Sequence, residues 1–193
     1  MRKFICALLL IVLIFSQSAS AWIVPQKNGE ISNYGSRYGV DVLLTQDIAT
    51  RSGPSTAYTE TASYKMKGEW VKAYSYSYDK NGVLWVEIEI KYGGAYRRLW
   101  TGAKRMNISS MQLKAMAEED FENWLGYGTF IKAATPRYGP GKQYSAYRSG
   151  YFTKGNKVAV IRYENGYYLT ESYDNDDKIF RCWVPYDSIN IEK

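Results

Sequence analysis

Hydrophobic and polar residues alternate in short runs over most of this chain. Across 70–78, Val71, Ala73, Ser75 and Ser77 fall on one side and Lys72, Tyr74, Tyr76 and Tyr78 on the other, the two-residue period of a strand. Asp79-Lys80-Asn81-Gly82 follows, and Asn-Gly accepts the positive φ of a tight hairpin turn. Residues 83–90 form the returning strand, with Leu84, Val86, Ile88 and Ile90 on one face and Trp85, Glu87 and Glu89 on the other. Tyr92-Gly93-Gly94 then turns the chain into 97–100, and 106–108 closes the unit. A later stretch repeats the plan: strands are expected over 131–135, 151–153, 158–163, 167–173, 179–184 and 189–191, with Glu164-Asn165-Gly166 as a hairpin turn. Between them the period changes. Leu113, Met116, Ala117, Phe121 and Trp124 recur every three or four residues, which predicts a helix joining the two units. Ser109 with Gln112 forms a capping box at its start, and Gly126 is its expected stop.

The two units also share landmarks in order. Arg51-x-Gly53-Pro54-x-x-x-Tyr58 returns as Arg137-x-Gly139-Pro140-x-x-x-Tyr144, and Lys67-Gly68-x-x-Val71 as Lys154-Gly155-x-x-Val158. Asn81-Gly82-x-x-x-x-Glu87 returns as Asn165-Gly166-x-x-x-x-Glu171, and Arg98-x-Trp100 with Asn107-Ile108 as Arg181-x-Trp183 with Asn190-Ile191. Four landmarks of different chemical type, in register, make this a tandem repeat. The expected division is a first unit at 41–108, a linker helix at 109–126 and a second unit at 127–193, preceded by an arm at 22–40. Gly53-Pro54 and Gly139-Pro140 read as structural turns, and Val71, Val86, Val158 and Leu169 as core.

The N-terminus bears on compartment. Arg2 and Lys3, an apolar run over 5–15 and Ala19-Ser20-Ala21 make residues 1–21 a secretory signal peptide. A retained membrane anchor is the alternative, but the run is short for a bilayer span. Loss of the signal takes Lys plus Arg from 25 to 23 against 19 Asp plus Glu, and leaves no expected transmembrane segment. Cys182 is then the one mature cysteine, so there is no internal disulfide framework. It reads as a small buried strand residue, with an intermolecular disulfide as the sharper alternative.

The chain contains no histidine. That removes Ser-His and Cys-His nucleophile pairs and the usual zinc sites, and no cofactor or metal is expected. Glu87 with Glu89 could form a carboxylate pair, but a surface ladder with Lys or Arg is the ordinary outcome. Glu118, Glu119 and Asp120 read as a solvated helix face, and Asp174-Asn175-Asp176-Asp177 as a polar hairpin tip that matches no calcium loop. Tyr supplies 19 of 193 residues; phenols offer contact area at low entropy cost with a hydrogen-bonding tip. An aromatic binding face is therefore expected, with Tyr58, Tyr74, Tyr76, Tyr78 and Trp85 as ligand contacts in the first unit and Tyr144, Tyr163 and Tyr168 in the second. The bland alternative is that these rings are core.

Arg51-Ser52-Gly53-Pro54-Ser55, the two Lys-Gly-x-x-Val steps, Asn81-Gly82-Val83-Leu84-Trp85-Val86 and Trp183-Val184 together resemble the bacterial SH3-type (SH3b) domain. In the second unit Leu169 stands for the leading Trp, and Tyr138 and Gly141 for the two serines. The resemblance implies an all-β fold of two small SH3-like open barrels joined by a short α-helix after the signal peptide. Taken with the signal peptide and the absence of histidine, it points to a secreted or cell-envelope, non-catalytic protein, and the resemblance implies that this protein binds cell-wall peptide or glycan–peptide. A protein–protein adaptor or inhibitor docking a secreted or envelope partner is the alternative. Nucleic acid is not an expected partner, given export and the small positive charge.

Overall fold

The structure, a computed structural model, describes residues 39–119, 124–147, 151–174 and 176–192. The expected signal peptide, most of the arm, Asp120, Phe121 and Asn175 lie outside the described residues. The described chain is all-β with one short helix. In the first half, β1 (Val40–Leu44), β2 (Ile48–Arg51), β3 (Glu60–Tyr64), β4 (Trp70–Tyr78), β5 (Leu84–Tyr92), β6 (Ala95–Gly102) and β7 (Met106–Asn107) form a sheet in the order β3-β2-β6-β5-β4-β1-β7. In the second, β9 (Gly126–Phe130), β10 (Lys157–Glu164), β11 (Tyr167–Tyr173), β12 (Ile179–Pro185) and β13 (Ile189–Ile191) follow the order β12-β11-β10-β9-β13. That order is the β6-β5-β4-β1-β7 segment over again.

Each central hairpin carries a bulge at the same place. Between β4 and β5 the register shifts between Ala73 and Ser75; between β10 and β11 it shifts between Val160 and Arg162. A bulge inserts one residue and bends the strand, and here it reverses the side-chain alternation. Before it, Ala73 pairs with Ile88; beyond it, Tyr76 pairs with Val86, while Ser75 and Ser77 pair with Glu87 and Trp85. The expected Tyr74-Tyr76-Tyr78 stripe is thus broken: Tyr76 shares a face with the core valines, and Tyr74 is the inserted residue.

The hairpins differ in length. Tyr78 faces Leu84 across a five-residue connection, whereas Glu164 faces Tyr167 across Asn165-Gly166 alone. Asn165 and Gly166 have φ of 49° and 80°, the left-handed pair of a two-residue hairpin turn. The register therefore moves two residues from the sequence alignment. Glu89 sits opposite Arg98 as Glu171 sits opposite Arg181, and Glu87 opposite Trp100 as Leu169 opposite Trp183. Glu171 corresponds to Glu89 rather than Glu87, and Leu169 stands at the Glu87 position rather than that of Trp85.

The connecting segment corrects another expectation. α1 spans only Ser110–Ala115, with the Ser109–Gln112 capping box as expected. At Met116 the backbone turns extended, and β8 (Ala117–Glu118) runs parallel to β4 beside Ser75 and Tyr76. Gly126 opens β9 rather than ending a helix, and that strand covers Gly126–Phe130 instead of the expected 131–135. Six residues of isolated helix gain little by propensity alone, and sheet pairing wins beyond Met116. None of the described helices is long and apolar enough to cross a membrane.

Buried apolar side chains of both halves form one continuous cluster, from Val42, Leu44, Val86 and Ile88 to Phe130, Val158, Val160 and Val184. Val71, Val86, Val158 and Leu169 are all buried, and so is Cys182, whose thiol is pushed up to about 12 by burial, against a lowering hydrogen bond with Thr170.

Candidate functional site

The shared landmarks converge on the seam between the halves. Arg51 donates to the carbonyl of Tyr58 at 2.8 Å, and Arg137 to that of Tyr144 at 2.8 Å, so each arginine staples its own Gly-Pro loop. Gly53 and Gly139 let the loop ring fold back: a Cβ at either would lie 2.2 or 2.1 Å from Tyr58 or Tyr144. Each ring then crosses to the other half. The Tyr58 hydroxyl donates to Glu171 at 2.7 Å, and the Tyr144 hydroxyl donates to Glu89. Tyr58 bridges to Ile179 and Tyr144 to Tyr96, which are themselves corresponding positions. The contact is a self-complementary exchange of equivalent loops, the intramolecular counterpart of a two-fold interface.

Charge fills the middle of this seam. Arg162 binds Glu87 at 2.6 Å and also Glu119, whose other oxygen takes Arg181. Arg181 binds Glu171 at 2.9 Å, and Arg98 binds Glu164 at 2.7 Å with its guanidinium 3.6 Å from the Tyr74 ring. Burial opposes the charge on Glu87, but Arg162 and Arg98, with hydrogen bonds from Arg162 and Ser75, outweigh it and hold the carboxyl below its ordinary value. The expected surface ladder at Glu87 and the expected solvated face at Glu119 are corrected: both are buried, because the second half covers the polar face of β5. Burial also holds the Tyr58 and Tyr144 phenols well above the ordinary tyrosine value.

These placements sort the aromatic candidates. Tyr58, Tyr74 and Tyr144 are buried in the seam. Tyr163 and Tyr168 pair across β10 and β11 with ring centroids 5.6 Å apart, and both are buried. Trp85 is also buried and donates its indole N–H to Asp79 at 3.2 Å, bracing the first hairpin turn. Tyr76 is partly buried, with its hydroxyl on Glu118. Tyr78 is 50% exposed. The eight candidates therefore do not form one face.

Tyr78 instead lines a groove of about 610 Å³, with Pro54–Tyr58 as one wall, Tyr78–Asn81 as the other and Ile179 of the second half at the end. That size suits a small ligand or a few peptide residues. The walls are set by local chemistry: Ser55 and Arg51 hold the loop, the latter also reaching Thr56 at 3.4 Å. Asp79 accepts from the N–H groups of Asn81 and Val83 at 2.9 and 3.0 Å to fix the turn. A separate depression of about 490 Å³, beside Phe152, Asn156, Tyr173 and Asp176, contains none of the sequence-expected contacts. Asp174 at that tip accepts from Thr59 at 2.7 Å and from the N–H groups of Asp176 and Lys178. The contribution of Ile179 to the first-half groove could not be read from the repeat, since it depends on how the halves dock.

No family model matches this sequence, and no curated protein does. Among solved structures, the antimicrobial peptidase lysostaphin from Staphylococcus simulans aligns over 83% of this chain and 82% of its own, at 11% identity and a TM-score of 0.26. At that score the alignment carries no weight for fold or function.

Proposed function

We propose that this chain is an extracytoplasmic, non-catalytic binding protein built from two SH3-like units, and that it holds an extended cell-wall peptide in the groove between Pro54–Tyr58 and Tyr78–Asn81. The observation that carries the reading is the groove itself, which lies on the Arg51-Ser52-Gly53-Pro54-Ser55 loop that resembles the bacterial SH3-type domain. Extended peptides are held by main-chain hydrogen bonds and by side chains seated against aromatic walls, and Tyr78 supplies an exposed ring. The absence of histidine supports a binding rather than a catalytic role. So does the engagement of Glu87 and Glu89 with arginine and tyrosine.

The test is co-sedimentation of the mature protein with purified insoluble cell wall, alongside wall whose peptides have been removed by amidase. Intact wall should retain the protein and peptide-free glycan should not. Tyr78→Ser should weaken retention by roughly tenfold, the loss of one aromatic anchor, while leaving the melting temperature unchanged. Wild-type protein that stays in the supernatant, or that binds peptide-free glycan equally well, would overturn the proposal.

A further inference from the structure

A tandem repeat invites the assumption of two ligand sites acting together. The corresponding region of the second half keeps the Pro and Tyr of the loop, as Pro140 and Tyr144, but differs at three other points that shape the groove. Where the first half has Ala57, the second has the longer Gln143, also exposed, whose side chain lies over Gly141 with its amide oxygen 2.2 Å from where a Cβ would stand. Serine occupies the Gly141 position in the first half, so the glycine is what lets that amide settle into the loop. Where the first groove ends on Ile179, the second has Tyr96, whose ring lies 6.4 Å from that of Tyr144. Where the first groove has the long 79–83 turn, the second has Asn165, whose side-chain amide donates to the carbonyl of Pro140 at 2.9 Å. Turn and loop are latched together there.

We propose that the chain carries one peptide site and not two: the second copy is filled by Gln143 and Tyr96 and latched by Asn165, and its half instead supplies Ile179 as the end wall of the first groove. This rests on the peptide-binding reading above. The duplicated unit has thereby changed role from receptor to scaffold. Its loop still crosses the seam through Tyr144, and its strand β12 abuts the first loop through the Tyr58–Ile179 bridge.

The experiment follows backbone amide shifts of the mature protein by two-dimensional NMR, titrated with a muramidase digest of purified peptidoglycan. Shifts should be confined to Ser55–Tyr58, Tyr78–Asn81 and Ile179. Importing the second-half residues, as Ser55→Gly, Ala57→Gln and Ile179→Tyr together, should weaken those shifts by tenfold or more in ligand concentration. All three positions line the groove, so the dispersed spectrum should remain that of a folded protein. Titrating shifts at 141–144 and 164–166 in the wild-type protein would overturn the single-site proposal while leaving peptide binding intact. Undiminished binding by a folded triple variant would also overturn it. No shift anywhere would refute the peptide-binding reading, and this inference with it.

Discussion

Replacing Arg162 by Leu tests whether charge at the seam is structural. The Arg162 and Glu87 side chains are 4% and 2% exposed and 2.6 Å apart, and Glu119 also takes Arg162. Removing one partner of a buried pair strands a desolvated charge and costs about 3–5 kcal/mol. Two features place this case at the lower end: Glu87 keeps a hydrogen bond from Ser75 at 3.0 Å, and Glu119 keeps Arg181. About 3 kcal/mol, at about 2–4 °C per kcal/mol for a chain of this size, gives a melting temperature lower by about 6–12 °C. Adding Glu87→Gln should recover at least half of that loss, since the stranded carboxylate is then gone. Lys132→Ala is the control. Its bond to Asp187 is 2.5 Å, but both side chains are 53% exposed, so the expected cost is below about 1 kcal/mol. Thermal unfolding followed by circular dichroism reads all three. An Arg162→Leu protein melting within 3 °C of wild type, or a Lys132→Ala loss of equal size, would refute the reasoning from burial.

Gly53→Ala and Gly139→Ala should each destabilise by about 1–3 kcal/mol through overpacking, since the added methyl meets the Tyr58 or Tyr144 ring; urea unfolding that shows either to be neutral would remove the case for ring-over-glycine packing. Stability should also fall in alkali. Burial raises the Tyr58, Tyr144 and Tyr147 phenols, and raises the Cys182 thiol to about 12. In the unfolded chain thiols ionise near 8.5 and phenols near 10. The native state thus retains protons that the unfolded state has lost, and the stabilisation is complete below about pH 8.5 and is lost as pH rises toward 12. The urea midpoint should be level from pH 7 to 8 and lower at pH 11, and a level profile across that whole range would contradict the assignment.

Most strands were legible in the sequence because their signals are local. The Asn81-Gly82 and Asn165-Gly166 turns, the alternation around Val86 and the capping box at Ser109 each act over a few residues, and each lies where expected. The bulges at Tyr74 and Ile161 were not legible, since an inserted residue leaves the pattern of letters looking regular while reversing which face follows. The overlong helix has a similar cause: the spacing of Leu113, Met116 and Ala117 suits a helix, but β8 pairs with β4 and Glu119 is drawn into the seam by two arginines. As for the site, the loop and Tyr78 could be picked out by type. The burial of Tyr58 and Tyr144 could not, because it depends on partners 113 and 55 residues away in the chain, and that of Tyr74 follows from the bulge that the letters hide.

Glu119 lies just beyond β8, in the segment that joins the halves, and it holds Arg162 and Arg181 at once. Separated at that segment, the second half would leave Arg162 and Arg181 without the carboxylate that bridges them, and the first would leave Glu119 facing water. A buried ion left without its partner is costly. The halves are therefore not interchangeable parts, and either one fused alone to another protein would carry an unbalanced charge that the intact chain cancels.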